Sequence, residues 1–291
     1  MRLNTEARPT FELLPLSLSS TIAASMDARL LQGTEPAAAG HFIEFRNVSI
    51  AFGEHVVLDN ISFFVDHGET CVIMGRSGVG KSVTLKLILG FLRADSGRIW
   101  VGGHDITEWS EQQLHDIRRR VTMVFQAGAL FDSLTVEENI AFPLEKEKDL
   151  TEEQKEARVA EFSEMLEVTS IADKLPSELS TGMKRAVAIA RALAQDPEAI
   201  LYDEPTTMVD PLMAAHTGDL ILRLKEKFHK TSVVVTHDTH LAKKLADRIV
   251  FLHEGHVAYF GPWDGFVAAP EIYMRNFLRQ DELIPELDVT S

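Results

Sequence analysis

Cysteine, long apolar runs and basic charge are all scarce in this sequence of 291 residues. Cys71 is the only cysteine, so no disulfide can form within the chain, and this fits a reducing compartment. Its neighbours are apolar, and we interpret it as a small buried residue of a strand. No apolar run approaches the ~20 residues that a transmembrane helix needs. If the protein works at a membrane, the spanning part must therefore come from a partner.

Acidic residues outnumber basic residues by 44 to 29, which gives a formal net charge of −15. Broad, sequence-independent binding to nucleic acid or to anionic lipid surfaces needs a net basic face. The composition therefore argues against both kinds of binding, although it allows a local basic patch. The apolar fraction of 45% is ordinary for a globular protein and permits a sizeable core.

The sequence divides into three regions by composition. Residues 1–40 contain scattered prolines and small residues without a sustained period, and we predict a disordered N-terminal tail there. From residue 41, short apolar strands alternate with helices, which is typical of an α/β domain with a parallel sheet covered on both faces. We place this domain at 41–261. Residues 262–291 would form a C-terminal helical extension and tail, with a helix over 271–280.

The apolar periodicity predicts where the individual elements lie. Strands are expected at 42–48, 56–65, 70–74, 98–101, 121–125, 199–203, 232–236 and 248–252. Helices are expected at 81–90, 110–119, 151–168, 183–195, 211–229 and 238–246. The stretch 127–180 has no clear core strand, and we interpret about 127–195 as an inserted helical subdomain.

A glycine-rich loop with one lysine follows the strand predicted at 70–74 and opens the next helix. Its residues are Gly75, Arg76, Ser77, Gly78, Val79, Gly80, Lys81 and Ser82, with Val83 next in the helix. The glycines let backbone N–H groups point at phosphate oxygens, and the helix adds the positive end of its dipole. Lys81 would place its charge on the β and γ phosphates, and the Ser82 hydroxyl would complete the shell of Mg²⁺. A purely structural turn would leave the Lys-Ser pair at this offset unexplained.

Two acidic residues end the apolar strand predicted at 199–203. In a parallel sheet, groups at the carboxyl end of a strand emerge beside the phosphate loop. Asp203 would hold Mg²⁺ directly or through water, and Glu204 would polarise the attacking water as general base. An Asp-Glu pair after an apolar run is a weak signal alone, but the phosphate loop makes it a strong one.

Two further polar residues follow predicted strands. His237 comes after the strand at 232–236, where it can bond the γ-phosphate and orient the water. His240 lies three residues later, but two histidines without a third ligand are poor evidence for a metal site. Gln126 follows the strand at 121–125 and is the remaining candidate for contact with Mg²⁺ or water. A glutamine in a surface turn is the alternative interpretation.

These motifs occur in one order along the chain, together with a helix start formed by Ser180, Thr181, Gly182 and Met183. Over about 41–280 the sequence resembles the ATPase domain of ABC transporters. The resemblance implies a P-loop NTPase fold of the α/β class, with a RecA-like parallel core, an antiparallel β subdomain and the inserted helical subdomain. It also implies ATP hydrolysis with Mg²⁺ as the cofactor.

The same resemblance implies a second copy of the chain as a partner. In the family, the segment at 180–183 caps the γ-phosphate that the other copy binds, so that a dimer encloses two ATP molecules. Phe52 stands where the family places an aromatic residue that stacks on adenine, and a core phenylalanine is the alternative. Asp210 matches the loop through which the two sites communicate.

Within that family, the sequence is most similar to the ATPase of Mla-type lipid transporters, which work with MCE-domain proteins. The segment from Phe125 to Leu144 carries this likeness, together with Met183, where many relatives have Gln. The likeness implies a separate membrane permease that moves phospholipid between membranes, with MCE-domain and small STAS-type subunits as further partners. The protein would then lie on the cytoplasmic face of the inner membrane.

Other transporters and another class of protein stay open. An amino-acid, lipoprotein-releasing or drug-type system would use the same phosphate motifs, and only the segment after Gln126 discriminates among them. A soluble ABC protein of DNA repair or translation usually has a long coiled-coil insertion or two ATPase domains, and neither feature is present.

Two departures from the family pattern bear on activity. Thr181 replaces the family's glycine, and its Cβ could hinder close approach of the backbone to phosphate or resist a positive φ. The residues before Asp210, Thr-Thr-Met-Val, are larger than is usual. Neither departure removes a charged catalytic group, so we expect an active ATPase.

Overall fold

The computed structural model describes residues 40–126 and 128–279. The predicted N-terminal tail, apart from residue 40, and the predicted tail from residue 280 lie outside the described residues. Within those two ranges, no helix combines the length and the apolarity that crossing a bilayer requires.

Strands and helices alternate along most of the described chain. The strands are β1 (Ile43–Phe52), β2 (His55–Val65), β3 (Thr70–Met74), β4 (Ser96–Val101), β5 (His104–Asp105), β6 (Val121–Val124), β7 (Ala199–Asp203), β8 (Thr231–Val235), β9 (Arg248–His253) and β10 (His256–Gly261). The α-helices are α1 (Lys81–Ile88), α2 (Glu111–Arg120), α3 (Val136–Ala141), α4 (Glu152–Met165), α5 (Thr181–Ala194), α6 (Pro211–Phe228), α7 (Thr239–Leu245), α8 (Trp263–Val267) and α9 (Ile272–Arg279). Short 3₁₀ turns cover Phe142–Lys146, Thr169–Ile171 and Pro176–Glu178.

The larger sheet is parallel except at one edge. Its strand order is β10-β9-β3-β8-β7-β6, and β10 alone runs antiparallel to its neighbour within this sheet. Parallel neighbours need a crossover connection, which the intervening helices supply. The register aligns Ile73 of β3 with Val235 of β8, and Val235 with Asp203 of β7. The carboxyl ends of these three strands therefore meet at one edge of the sheet.

Alternate residues of the central strands pack into two different cores. Cys71 and Ile73 of β3 belong to the core that includes α1, α2 and the second sheet, whereas Val72 and Met74 belong to the core with α5, α6 and α7. Every residue of β3 and β8 is buried, so both faces of the sheet are covered as predicted. The prediction that Cys71 is buried is confirmed, and burial raises the pKa of its thiol.

The smaller sheet is antiparallel, with the strand order β2-β1-β4-β5. Its inward side chains, including Phe45 and Phe63, share a core with Leu85 and Ile88 of α1. The helix that follows the glycine-rich loop is therefore packed between the two sheets. This packing fixes the position of the loop, because α1 begins at the last residues of the loop.

The regular elements within residues 128–194 are helices and 3₁₀ turns, and two of them differ from the predicted elements. The helix expected at 151–168 ends at Met165, because Glu167 adopts a positive φ of 60° that no helix continues through. The apolar pattern does not predict α3, which is only six residues long. Thr135 and Glu138 cap it reciprocally, and this Thr-x-x-Glu capping box is a sequence pattern that indicates the start of a helix.

The strand β10 is also absent from the sequence prediction. It pairs with β9 through a two-residue turn in which Glu254 and Gly255 have φ values of 49° and 81°. Two residues with positive φ are typical of a type I′ hairpin. Asn-Gly or Asp-Gly is the usual signature of this turn, so Glu-Gly is a weaker signal.

Candidate functional site

The glycine-rich loop joins β3 to α1, and two of its glycines are required by space as well as by backbone angle. At Gly75, where φ is 148°, an added Cβ would lie 2.5 Å from the carbonyl oxygen of Leu252. At Gly80, where φ is 105°, it would lie 2.6 Å from Cδ2 of Leu58. A side chain at either position would also be strained by its φ. The loop is therefore confined between β9 and β2.

The helix that follows this loop has no side-chain cap. Gly80 occupies the N-cap position of α1, so no side chain accepts from the N–H groups of the first turn. Five other helices are capped by a Ser, Thr or Asp side chain, namely by Thr135, Thr151, Ser180, Asp210 and Asp238. Uncapped N–H groups and the positive end of the helix dipole together favour an anion. The start of α1 is thus suited to a phosphate group.

Lys81 places a charge beside the loop with only 6% of the residue exposed. Its Nζ donates to the carbonyl oxygens of Gly75 at 2.9 Å and Arg76 at 3.2 Å, and it lies 3.4 Å from Oε1 of Glu204. A buried ammonium group must be compensated by such partners. A phosphate oxygen could replace the carbonyl oxygens as acceptor without leaving the charge unpaired.

The other end of the loop is joined to β7. Oγ of Ser82 donates to Oδ1 of Asp203 at 2.8 Å. Burial raises the pKa of Asp203 above its ordinary value, although the bond from Ser82 opposes this effect. A hydroxyl and a carboxylate oxygen are ligands that Mg²⁺ prefers, especially together with phosphate oxygens. These two residues therefore fit a magnesium site.

Glu204 has an unusual backbone for a non-glycine residue. Its φ is 47°, although its N–H still donates to the carbonyl oxygen of Val235 at 2.9 Å. Its Oε2 accepts from Oγ1 of Thr207 at 2.9 Å and lies 2.9 Å from Nδ1 of His237. Both carboxylate oxygens of Glu204 are therefore held in place, since Oε1 faces Lys81.

The bond between His237 and Glu204 restricts what the imidazole can do. A carboxylate only accepts, so Nδ1 of His237 must carry a proton in this bond. In a neutral ring, Nε2 is then an acceptor and cannot donate to a phosphate. The predicted contact with the γ-phosphate therefore requires a charged ring, or else a ring that has released Glu204.

Gln126 and Phe52 lie at other strand ends. Gln126 follows β6, which is the neighbour of β7 in the sheet, and its backbone carbonyl accepts from Nη2 of Arg185 at 3.1 Å. Phe52 is the last residue of β1 and is 49% exposed. The alternative of a core phenylalanine is therefore wrong, and the ring is accessible for stacking.

The segment from Ser180 to Met183 forms the start of α5. Oγ of Ser180 caps the helix by accepting from the N–H of Met183 at 3.3 Å. Thr181 is the first residue of α5 and does not have a positive φ, so its side chain does not strain the backbone there. Within the described residues, no hydrogen bond joins this segment to the glycine-rich loop. Asp210 caps α6 by accepting from the N–H of Met213 at 3.0 Å.

Thr207 and Arg185 belong to this site, although no sequence motif indicates them. Thr207 contacts Glu204 through its hydroxyl, and its carbonyl oxygen accepts from Nη2 of Arg185 at 3.0 Å. Residues 185, 187–190 and 192–194 of α5 are all buried. In the sequence, Arg185 precedes a nearly continuous apolar run, and an arginine in such a buried helix needs buried acceptors. That run was the signal that could have indicated Arg185.

The arrangement of strand ends defines the class of protein. Four consecutive strands, in the order β3, β8, β7 and β6, bring the loop, His237, the two acidic residues and Gln126 to one edge of the sheet. Ligands of open α/β sheets bind at this edge. With a lysine in a phosphate loop and a carboxylate pair beside it, the fold is that of a P-loop nucleotide hydrolase.

Comparison with known proteins gives the family. The family model described as ABC transporter matches residues 58–207. The chain is 36% identical to the intermembrane phospholipid transport system ATP-binding protein MlaF of Haemophilus influenzae, over 82% of this chain and 90% of that protein. It is 34% identical to the probable ribonucleotide transport ATP-binding protein mkl of Mycobacterium leprae, over 84% of this chain and 71% of that protein.

Solved structures agree with the family model. The dimeric ATP-binding cassette MJ0796, in a post-hydrolysis state bound to ADP and Pi, is 33% identical with a TM-score of 0.69 and covers 76% of this chain and 98% of its own. The cbiO1 subunit of Clostridium perfringens is 26% identical with a TM-score of 0.73 over 83% of this chain and 96% of its own. The chain therefore belongs to the ABC transporter family. It is an ATP-binding and ATP-hydrolysing subunit, and the fold class and the likeness to Mla-type ATPases are confirmed.

The substitution Asp203→Asn is expected to raise the melting temperature (Tm) of the nucleotide-free protein at pH 7. Burial raises the folded-state pKa of this carboxyl, so its ionisation opposes folding, and an amide does not ionise. The contribution of Asp203 to the stability of the wild-type protein is most favourable below the pKa that this carboxyl has in the unfolded chain. That contribution is lost as the pH rises through the pKa of Asp203 in the folded protein. The difference in Tm, followed by circular dichroism, should therefore shrink as the pH falls toward ~4.

Asp219→Asn serves as a control of opposite sign. The bond from Lys244 lowers the pKa of Asp219, so its removal should leave Tm at pH 7 unchanged or reduced. If Asp203→Asn instead lowers Tm at pH 7, or if its effect does not depend on pH, burial does not dominate at Asp203.

Proposed function

We propose that this protein binds ATP with Mg²⁺ and couples hydrolysis to a separate permease that moves phospholipid between membranes. One observation carries the chemical part of the proposal. At one edge of the sheet, Ser82 contacts Asp203 at 2.8 Å and Lys81 contacts Glu204 at 3.4 Å. A phosphate-binding group, a metal-binding pair and a candidate base thus lie within one small region.

The residues of the loop would bind the nucleotide. Backbone N–H groups of the loop from Gly75 to Ser82, and of Val83 after it, would donate to the phosphates. Lys81 would exchange its carbonyl acceptors for oxygens of the β and γ phosphates. Phe52 would stack on adenine through its exposed ring.

The metal site and the base would complete the chemistry. Mg²⁺, when bound, neutralises charge that develops on the transferring phosphoryl group. Ser82, Asp203 and Gln126 would hold this ion. Glu204 would accept a proton from the attacking water, and its bonds to Thr207 and His237 would orient it for that task. His237 would contact the γ-phosphate through a ring that is charged or that has released Glu204, since its Nδ1 lies 2.9 Å from that carboxylate.

A second copy of the chain would complete each site. Ser180, Thr181, Gly182 and Met183 form a capped helix start that has no hydrogen bond to its own phosphate loop within the described residues. The related MJ0796 cassette is described as a dimer. We therefore infer that these residues face the γ-phosphate of the partner copy, and that Asp210 lies between the two sites.

The cargo and the membrane partner are proposed from relatives and from one exposed region. The MlaF relatives are named for intermembrane phospholipid transport. The segment from Phe125 to Leu144 presents Phe125 and Phe131 as exposed aromatic residues, and Phe131 packs on Phe142 with ring centroids 4.3 Å apart. Exposed apolar groups of this kind suit a protein interface, and we assign them to the permease.

The proposal extends to the assembly and to its location. MCE-domain and small STAS-type subunits would complete the transporter, which would place this chain on the cytoplasmic face of the inner membrane. The ATPase domain would span 41–261, with the helical subdomain at about 127–195 and the C-terminal extension from 262.

The substitution Glu204→Gln is expected to retain ATP binding and to lose most of the turnover. General-base assistance is worth roughly 10²–10⁴-fold, and an amide cannot accept the proton. Steady-state phosphate release and ATP titration on the same preparation measure the two properties separately. Glu198→Gln is the matched control, because Glu198 precedes the opposite end of β7 and pairs with Arg120. Near-normal hydrolysis by Glu204→Gln would remove Glu204 from the role of base.

The cargo is tested by purifying the full chain from detergent-solubilised membranes with its partners attached. We expect a permease and an MCE-domain subunit in the complex, phospholipid in an organic extract, and ATP-dependent phospholipid movement after reconstitution in liposomes. The Glu204→Gln complex provides the control without turnover. ATP-dependent uptake of ribonucleotides alone would favour the activity named for the mycobacterial relatives and contradict lipid transport. A chain recovered without any membrane partner would contradict the transporter assembly.

A further inference from the structure

We propose that Arg185 is a positioning residue for ATP hydrolysis, and that it acts on Glu204 through Thr207. The inference rests on the proposed role of Glu204 as the base. It assigns a function to a buried charge that lies outside the phosphate-binding motifs.

Arg185 joins two loops that flank the site. It lies on α5 and is 2% exposed. Its Nη2 donates to the carbonyl oxygen of Gln126 at 3.1 Å and to that of Thr207 at 3.0 Å. One guanidinium nitrogen therefore holds the segment after β6 and the segment after β7 at the same time.

Thr207 carries this constraint to Glu204. The two residues form a turn in which the N–H of Thr207 donates to the carbonyl oxygen of Glu204 at 3.2 Å. The hydroxyl of Thr207 donates to Oε2 of Glu204 at 2.9 Å. Since Arg185 fixes the carbonyl oxygen of the same residue, the hydroxyl and the carboxylate that it contacts are fixed as well. A base must be held close to its productive geometry to be effective.

Stability alone does not account for an arginine at this position. Nε and Nη1 of Arg185 are buried, and neither has a hydrogen-bond partner among the described residues. Buried donors without partners are destabilising, and apolar replacements of buried charges are often neutral or stabilising. Local rules of this kind are broken mainly at functional sites. We therefore assign the function of Arg185 to its two hydrogen bonds from Nη2, which hold the carbonyl oxygens of Gln126 and Thr207.

The position of Arg185 also ties the base to the start of α5. Ser180, which caps this helix, is five residues earlier in the chain. A displacement of the first turns of α5 would move the guanidinium and, with it, the carbonyl oxygens of Gln126 and Thr207. The orientation of Glu204 thus depends on where α5 lies relative to the sheet.

The test is a double-mutant cycle with Arg185→Met and Thr207→Val in the full chain. Each single variant should lower kcat by roughly tenfold or more, within the 10²–10⁴-fold that a general base supplies, and leave ATP affinity unchanged. Because both act on Glu204 by one route, the double variant should lose no more than the larger single loss. Multiplicative losses in the double variant, or a normal kcat in Arg185→Met, would overturn the inference.

Controls separate positioning from folding. Arg158→Met removes a comparable bond, from a guanidinium to the carbonyl oxygen of Ala194 at 3.3 Å, and should leave kcat unchanged. Arg185→Lys keeps the charge and one donor site, so it should recover part of kcat and serve if Arg185→Met does not fold. If Glu204→Gln keeps its turnover, the proposed base is wrong. If that variant is inactive while Thr207→Val and both Arg185 variants have normal kcat, only the present inference fails.

Discussion

The buried ammonium group of Lys81 is the charge on which the geometry of the site depends. Its partners are two backbone carbonyl oxygens of its own loop and the carboxylate of Glu204. Removing one partner of a buried charge pair is destabilising by about 3–5 kcal/mol, so these contacts constrain the loop and the end of β7 together. The same ammonium group would bind ATP, because phosphate oxygens can replace the backbone carbonyl oxygens that now accept its hydrogen bonds.

The rest of the fold holds that charge in register. The strands β3, β8 and β7 are aligned through Ile73, Val235 and Asp203, which brings the groups that follow them to one edge. The loop is confined by β9 and β2, and α1 is left without a cap at the point where an anion would sit. Glu204 adopts a positive φ of 47° at the same edge, and its side chain is fixed by its neighbours. The site is therefore set largely by the sheet, with side chains that are oriented before nucleotide binds.

Much of this arrangement follows from the sequence, for identifiable reasons. The strand at 70–74 is predicted to the residue because β-branched Thr70 and the apolar residues 71–74 lead directly into the glycine-rich loop, and both faces of a covered parallel sheet require such buried side chains. The phosphate loop is predictable because its glycines and its Lys-Ser pair have the spacing that the backbone conformation of such a loop requires. The Asp203–Glu204 pair is predictable because it follows a buried apolar strand. By contrast, α3 and β10 depend on a cap and a turn rather than on apolar period. Both are therefore missed by periodicity alone.

The contacts that orient the base are not predictable from motifs. Thr207 and Arg185 are 22 residues apart and meet only because α5 packs beside the ends of β6 and β7. The proton arrangement on His237 likewise depends on a contact with Glu204 across 33 residues. At Thr181 the structure removes a possibility that the sequence left open, because Thr181 begins α5 and does not have a positive φ. Tertiary packing decides all three cases.

The most direct test of this account is the affinity of Lys81→Ala for ATP, measured by isothermal titration calorimetry on protein shown to be folded. Truncating one partner of a buried charged contact costs about 2–5 kcal/mol, so binding should weaken by on the order of 10²-fold. Lys230→Ala is the control, because Lys230 pairs with Asp196 before the opposite ends of the strands and should leave affinity unchanged. A folded Lys81→Ala protein that binds ATP as tightly as the wild type would contradict the role of this charge.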